Sequence, residues 1–370
     1  MAHVSYSAML KLALIFGGRS AEHEISLISA TSVLAVLNRS KYEVVPIGIT
    51  RDGAWVCPGD VQAALRDGLA ATPCTPVALL PDPSRPGLFV GAGRSVVPID
   101  FAFPVLHGPF GEDGTIQGLF ELADVPYAGA GVVASAVGMD KHLMKAAFAA
   151  AGLPQVDYVV LREGNGEQAV IAVEEAFDYP VFVKPVNLGS SVGITKAHDR
   201  GELEAAVEIA FHYDRKVIVE AFADAREFEC GVIGNDEPQV SVAGEVVPGN
   251  EFYDYEAKYT EGKMAFRIPA ELEAEQAAAL RELAAAAYRA VDCAGYARCD
   301  FFVERASGRV LINEINTIPG MTSMSAFPKV WEASGVPYGE LVDRIIALGR
   351  ERHAARGRLL TSRDAAATTT

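Results

Sequence analysis

The residues with the clearest chemical potential lie in two short runs toward the C-terminal end. In Leu311-Ile-Asn-Glu-Ile-Asn-Thr-Ile-Pro-Gly320, the apolar and mostly β-branched residues Val310, Leu311, Ile312 and Ile315 predict a strand. Side chains alternate faces along a strand, so Glu314 and Asn316 point the same way. A second predicted strand, 296–303, carries Asp300. If the two strands pair, Asp300, Glu314 and Asn316 can converge. These are hard oxygen donors, two of them anionic and none a thiolate or imidazole, which suits Mg²⁺ better than zinc. An isolated Glu-x-Asn is more simply a polar strand end at a solvent edge. The isoleucine flanks, the Asp on the preceding strand and the Pro319-Gly320 turn, where backbone can approach a ligand closely, favour a site instead.

Upstream elements supply positive charge and phosphate-sized turns. The strand 180–185 carries Lys184 and runs into Asn187-Leu-Gly-Ser-Ser-Val-Gly193, after which a strand resumes at 194–196. Such a hairpin tip offers amides and hydroxyls to a phosphate, with Lys184 adding charge. A helix predicted over 135–151, closed by Gly152 and Pro154, contains Lys141 and Lys145. Arg298 lies two residues before Asp300, on the same strand face. Metal donors, lysines and an arginine together suggest phosphoryl transfer driven by charge neutralisation. There is no GxxxxGK[ST] and no GxSxG.

Nearer the N-terminus, a buried strand at 11–16 ends at Gly17-Gly18, and Ser20, Glu22 and Glu24 lead into a helix to about Leu37. This is a glycine corner of the α/β type, but it is not GxGxxG, which counts against a dinucleotide-dependent oxidoreductase. Read locally, Ser20 would cap that helix. The strand 100–106 delivers His107 at its C-terminal end, where open α/β sheets place their sites. Residues 51–95 read as short strands and loops. The stretch 247–267 is long, polar and aromatic, the composition of a functional loop rather than of disorder. Both this stretch and 187–193 are expected to close over a ligand.

The 370 residues suffice for two or three compact domains. The net charge of −16 argues against nucleic acid or an anionic membrane as a partner. No apolar run is long enough to span a bilayer, and no secretion signal is legible at the N-terminus. The five cysteines, irregularly spaced and without CxxC, read as reduced thiols in a cytoplasmic protein.

Seven motifs taken in order resemble one family. They are Gly17-Gly-Arg-Ser-Ala-Glu-His-Glu24, His107-Gly-Pro-Phe-Gly-Glu-Asp-Gly114, Met139-Asp-Lys141, Val183-Lys-Pro185 with Gly189-Ser-Ser-Val-Gly193, Phe252-Tyr-Asp-Tyr-Glu-Ala-Lys-Tyr259, Arg298-Cys-Asp300 and Asn313-Glu-Ile-Asn-Thr-Ile-Pro-Gly-Met-Thr322. From about residue 12 to 349 the chain resembles the D-alanine–D-alanine ligases of the ATP-grasp superfamily. The resemblance implies an ATP-dependent ligase that phosphorylates the carboxylate of one D-alanine and lets the amine of a second attack the acyl phosphate, in peptidoglycan precursor synthesis. By the same resemblance Asp300, Glu314 and Asn316 would hold two Mg²⁺ ions, with Mn²⁺ as a substitute. Lys141, Lys184 and Lys258 would contact phosphates, and Ser190 and Ser191 would sit in the covering hairpin. Glu220 would face the adenine, the backbone at Ala221 would read its edge, Phe302 would line the ATP site and Glu227 would take the ribose. Arg298 and the Gly320 amide would stabilise the tetrahedral oxyanion. Glu22 would bind the first ammonium, His107 would line that pocket, and Ser325 would bind the second carboxylate. Glu22, Ser190 and Tyr259 would form a hydrogen-bonded triad near the attacking amine, and Tyr259 would favour the dipeptide over D-lactate or D-serine products. Ala221 stands where some relatives have Lys, a change that leaves the backbone contact intact.

The expected fold is mixed α/β in the three-domain ATP-grasp arrangement. An N-terminal open parallel-sheet domain would span 1–134, a central unit 135–240 and a C-terminal unit 241–356, with a disordered tail at 357–370. ATP and D-alanine are the expected small-molecule partners, and a homodimer is expected from the family. The alternatives are another ATP-grasp carboxylate–amine ligase or a nucleotide-binding regulatory module without catalysis.

Overall fold

The computed structural model describes residues 9–91, 95–164, 166–189, 192–248 and 264–360. The first sheet begins with β1 (Leu10–Gly17), an almost wholly buried strand, which pairs in parallel with β2 (Tyr42–Ile49) across helix α1 (His23–Val36). Beyond β2 come β3 (Trp55–Pro58), helix α2 (Val61–Asp67), β4 (Cys74–Leu79), β5 (Leu88–Val90) and β6 (Ser95–Val97). The strand β7 (Phe101–Pro104) then returns to the far side of β1, giving the order β6-β5-β4-β3-β2-β1-β7. Only β7-β1-β2 is parallel; every pairing from β2 to β6 is antiparallel. The sheet is therefore mixed, not the open parallel sheet expected. The connection after β2 is too short for a crossover: Thr50 N–H donates to Ala54 O (2.9 Å) in a tight hairpin.

Helices α3 (Thr115–Leu122) and α4 (Val132–Met139) lead to α5 (Lys141–Ala150). The single helix expected over 135–151 is thus broken at Asp140. That residue is extended (φ −84°, ψ 100°), and its carboxylate caps α5 by accepting from Leu143 N–H at 2.9 Å. The break turns the Lys141 N–H toward Val186 O (3.2 Å), at the base of the hairpin loop. Lys216 pairs with the same Asp140 carboxylate.

The second sheet has the order β10-β9-β11-β8, all antiparallel. Its strands are β8 (Tyr158–Arg162), β9 (Val181–Pro185), β10 (Thr195–Ala197) and β11 (Lys216–Ala221), flanked by α6 (Gly166–Ala176) and α7 (Arg200–Phe211). A separate core fills it, including Leu161, Val183, Leu203, Val217 and Val219.

The third sheet, β14-β13-β12-β15-β16, is also antiparallel. It contains β12 (Ala225–Gly234), β13 (Gln239–Pro248), β14 (Met264–Arg267), β15 (Gly295–Glu304) and β16 (Val310–Asn316). The expected boundary at 240 falls inside the β12–β13 hairpin, both strands of which belong here. The last four residues of the predicted loop 247–267 are strand β14, with Glu245 opposite Arg267. Helix α8 (Ala274–Ala290) opens with a reciprocal Glu273/Gln276 capping box. Helices α9 (Ala326–Ala333) and α10 (Tyr338–Arg356) are the last among the described residues, and most of the expected disordered tail at 357–370 lies outside them.

One apolar core runs without interruption from the first sheet to the third. Leu12, Phe16 and Phe103 share it with Tyr296, Phe327, Trp331 and Ile345. The first and third sheets therefore form a common frame, against which the second sheet stands with its own core. Among the described residues no helix is long and apolar enough to cross a membrane.

Candidate active site

Strand register builds the acidic end. β15 and β16 pair so that Asp300 faces Glu314 and Arg298 faces Asn316, while Glu229 of β12 lies opposite Asp300 on its other side. Cross-strand partners share a face, so Glu229, Asp300, Glu314 and Arg298 lie on one face of the sheet. Arg298 grips Asp300 with Nε on Oδ1 and Nη2 on Oδ2, both at 2.6 Å, and its Nε lies 3.3 Å from Glu229 Oε2. Asn316 Nδ2 donates to Asp300 Oδ2 at 3.1 Å. Burial pushes the Asp300 carboxyl up to about 7, with Glu229 and Glu314 adding to the rise against the pull of Arg298. Among the described residues no three His, Cys, Asp or Glu side chains are grouped to hold a metal ion. A third protein donor would have to be the Asn316 amide. The set nonetheless fits a hard divalent cation: all donors are oxygens, the carboxylates outnumber the local cationic groups, and Arg298 can share Asp300 with an ion.

The basic end is built differently. Glu220, at the end of β11, is 3% exposed. Lys184 of β9 reaches its Oε2 at 2.5 Å, and Lys145 of α5 reaches its Oε1 at 3.0 Å. Burial alone would raise the Glu220 carboxyl, but the two ammonium groups overcome it and hold the group down at about 2. Lys141 Nζ donates to Leu188 O (2.5 Å), anchoring the first turn of α5 to the hairpin loop.

Between these ends, where the second and third sheets face each other, lies a cavity of about 410 Å³, within the ~300–1,000 Å³ usual for small-molecule sites. Lys141, Lys184, Glu220, Ala221, Glu227, Phe302, Asp300 and Glu314 all line it. Arg298 and Asn316 join it through Asp300. Ser190, Ser191, Lys258 and Tyr259 lie outside the described residues.

A third group adjoins the acidic end. Gly17 and Gly18 have positive φ, and a Cβ at Gly17 would stand 2.2 Å from Ile49 O, so the corner into α1 requires glycine. Ser20 does not cap α1, whose N-cap is Glu22. Its hydroxyl instead accepts from Glu22 N–H (3.1 Å) and donates to His107 O (2.9 Å), tying the two loops together. The Glu22 carboxylate packs against Gly108, where a Cβ would come within 2.8 Å of Oε2, and faces Gly189 at the hairpin loop. His107 is buried, with Nε2 3.0 Å from Ser29 Oγ and Nδ1 3.1 Å from Ile318 O. With both ring nitrogens on protein groups, His107 braces the 318–320 turn. Burial lowers its pKa and so favours the neutral ring, against the opposing pull of Glu22. Gly320 abuts Ser325, whose hydroxyl lies 2.8 Å from Thr322 Oγ1 at the N-terminus of α9, a natural place for an anion.

Three residues of the site have no role assigned from sequence: Lys145, which is named there only as a charge on the predicted helix, Glu229 and Glu112. Lys145 lies one turn beyond Lys141 on the same helix, and Glu229 alternates with Glu227 on one strand face, so both spacings carried a signal. Glu112 accepts from Gly108 N–H at 2.6 Å, and burial together with Glu22 pushes its carboxyl up to about 8. Nothing in its spacing marks it out.

Two antiparallel sheets that clasp a polar cavity with lysines at one end and carboxylates at the other define an ATP-grasp fold. Family profiles described as "D-ala D-ala ligase N-terminus" and "D-ala D-ala ligase C-terminus" match residues 11–130 and 147–347. The chain is 52% identical over 358 residues to the D-alanine–D-alanine ligase of Heliobacterium modesticaldum, covering 95% of this chain and 98% of that one. To the enzyme of the same name from Acetivibrio thermocellus it is 49% identical over 363 residues, covering 93% and 96%. Among solved structures, the D-alanine-D-alanine ligase from Coxiella burnetii superposes with a TM-score of 0.86 at 34% identity, over 98% of this chain and all of that one. The VanG D-Ala:D-Ser ligase from Enterococcus faecalis gives 0.84 at 38% identity, over 92% and 99%. The chain belongs to the D-alanine–D-alanine ligase family.

Proposed function

We propose that this protein joins two D-alanines into D-alanyl-D-alanine at the expense of ATP, for peptidoglycan precursors. The observation that carries the reading is the single cavity joining Lys141, Lys184 and Glu220 to Asp300 and Glu314, with Glu22 beside it. A carboxylate is a poor electrophile, and phosphorylation gives it a leaving group. Lys141 and Lys184 hold the phosphates, and Glu220 and Ala221 take the base. Glu227 takes the ribose and Phe302 packs the nucleotide. Asp300, Glu314 and Asn316 would hold Mg²⁺, which when bound neutralises the phosphate oxygens. Glu22 anchors the first ammonium, Arg298 and the Gly320 amide face the tetrahedral oxyanion, and Ser325 takes the second carboxylate. Ser190, Ser191, Lys258 and Tyr259 complete the set on family grounds.

The three sheets support a division at about 134 and 224, moving the second boundary to the segment before β12. A homodimer and a cytoplasmic location follow from the family reading, and sedimentation of the purified chain tests the former. D-Serine as acceptor is a second reading, favoured by the likeness to a D-Ala:D-Ser ligase. Phosphate release from MgATP with D-alanine, L-alanine, or D-alanine plus D-serine or D-lactate, with products separated by mass, decides among these. The expected result is dipeptide from D-alanine alone. A mixed product at neutral pH would favour the second reading, and ATP binding without turnover would favour a regulatory module.

A further inference from the structure

The buried Lys145 is not needed to touch a nucleotide. It does not line the cavity; its side chain is 1% exposed and its ammonium lies 5.6 Å over the Tyr158 ring. Its backbone oxygen accepts from Gln155 Nε2 at 2.9 Å, fixing the helix turn that carries it. Lys184, on the other oxygen of Glu220, does line the cavity. The two lysines therefore face different futures when a triphosphate enters. An anionic phosphate competes for Lys184, whereas Lys145 is walled off behind Glu220 and keeps its place. A buried carboxylate that lost its only partner would protonate, because an unpaired charge in such a place is costly. A protonated carboxyl can donate as well as accept.

We propose that Lys145 is a positioning residue for base selection: by staying on Glu220 Oε1 it keeps that carboxylate an acceptor only, so that the site takes a purine bearing an amino group at that edge and rejects one bearing an oxo group. The inference rests on the ATP-dependent ligase reading. A 6-aminopurine offers Glu220 an N–H, while a 6-oxopurine sets oxygen against oxygen. Sites built to hydrogen-bond one substituent discriminate strongly against its replacement.

The test compares kcat/KM for ATP and ITP, with D-alanine saturating, in the wild type, Lys145→Met and Lys145→Arg. The wild type should prefer ATP by about 100-fold or more. In Lys145→Met the preference should shrink by about tenfold or more, through a higher KM for ATP with ITP little changed, and Lys145→Arg should restore it. Equal losses for both nucleotides in Lys145→Met would mean a merely structural role and overturn the proposal. The wild type alone also tests it, whether or not the Met variant folds: equal kcat/KM for ATP and ITP would overturn the assignment and leave the ligase reading standing. Absence of turnover with either nucleotide would overturn both.

Discussion

Glu220 and Asp300 line one cavity, and both are held by basic side chains, yet their carboxyls are displaced in opposite directions, to about 2 and to about 7. Burial acts the same way on each, so the difference lies in the neighbours. Glu220 alone receives two ammonium groups, one from a helix and one from a strand. Asp300 has Arg298, but it shares that guanidinium with Glu229 and faces Glu314 across the β15–β16 ladder. The protein neutralises one end of its cleft with its own side chains and leaves the other short of positive charge. A neutral base suits the first end. A cation together with phosphates suits the second.

Removing a carboxylate from the acidic end is the most severe way to break this contrast. Glu314→Gln keeps the shape but takes away one negative charge from the cavity's acidic end. Steady-state turnover is expected to fall about 100-fold or more, with a smaller change in the KM for ATP. A loss confined to KM would mean that Glu314 serves ground-state binding only.

At the basic end the expected effect is on stability. Glu220→Gln leaves Lys145 buried without its counter-charge, which should cost about 3 kcal/mol in urea unfolding at neutral pH. The sign of the pH dependence follows from the depressed pKa. The contribution of Glu220 is fully present above its unfolded value, 4.5, and is lost as pH falls through about 2. The gap between wild type and variant should therefore narrow below about pH 4.5, and a gap that widens there would contradict the pairing. A surface pair gives the lower bound of the scale. Arg344 and Glu340 are neighbours on α10 with side chains 40% and 49% exposed, and Arg344→Ala should change stability by about 0.5 kcal/mol or less. A loss as large as that of Glu220→Gln would remove the distinction between buried and exposed pairs.

The acidic end was legible in the sequence because strand alternation is rigid. Once 296–303 and 310–316 are strands, Asp300, Glu314 and Asn316 must share a face, and the observed register puts Asp300 opposite Glu314. The basic end was legible only in part. Lys184 and Glu220 sit on readable strands, but Lys145 gains its meaning from a packing contact between α5 and β11 that no local pattern encodes. The break at Asp140 escaped for a related reason: the surrounding residues favour helix, and a buried ion pair with Lys216, 76 residues away, helps hold the interruption. The parallel sheet expected at the N-terminus differs from the mixed one observed because 51–95, read as short strands and loops, carries no signal for how those strands pair. These strands are three to six residues long and half exposed, so their alternation is too short to register. His107 was found by position, but its role as a brace depends on Ser29 and Ile318, which lie far from it in sequence.

The most direct test of the division between the two ends is calorimetric binding of adenosine and of ATP, each with and without Mg²⁺. The account predicts that adenosine affinity is indifferent to Mg²⁺, because Glu220 is already neutralised by Lys145 and Lys184, whereas ATP binds about tenfold or more tightly when Mg²⁺ relieves the carboxylates around Asp300. A Mg²⁺-dependent affinity for adenosine, or an ATP affinity untouched by Mg²⁺, would contradict it.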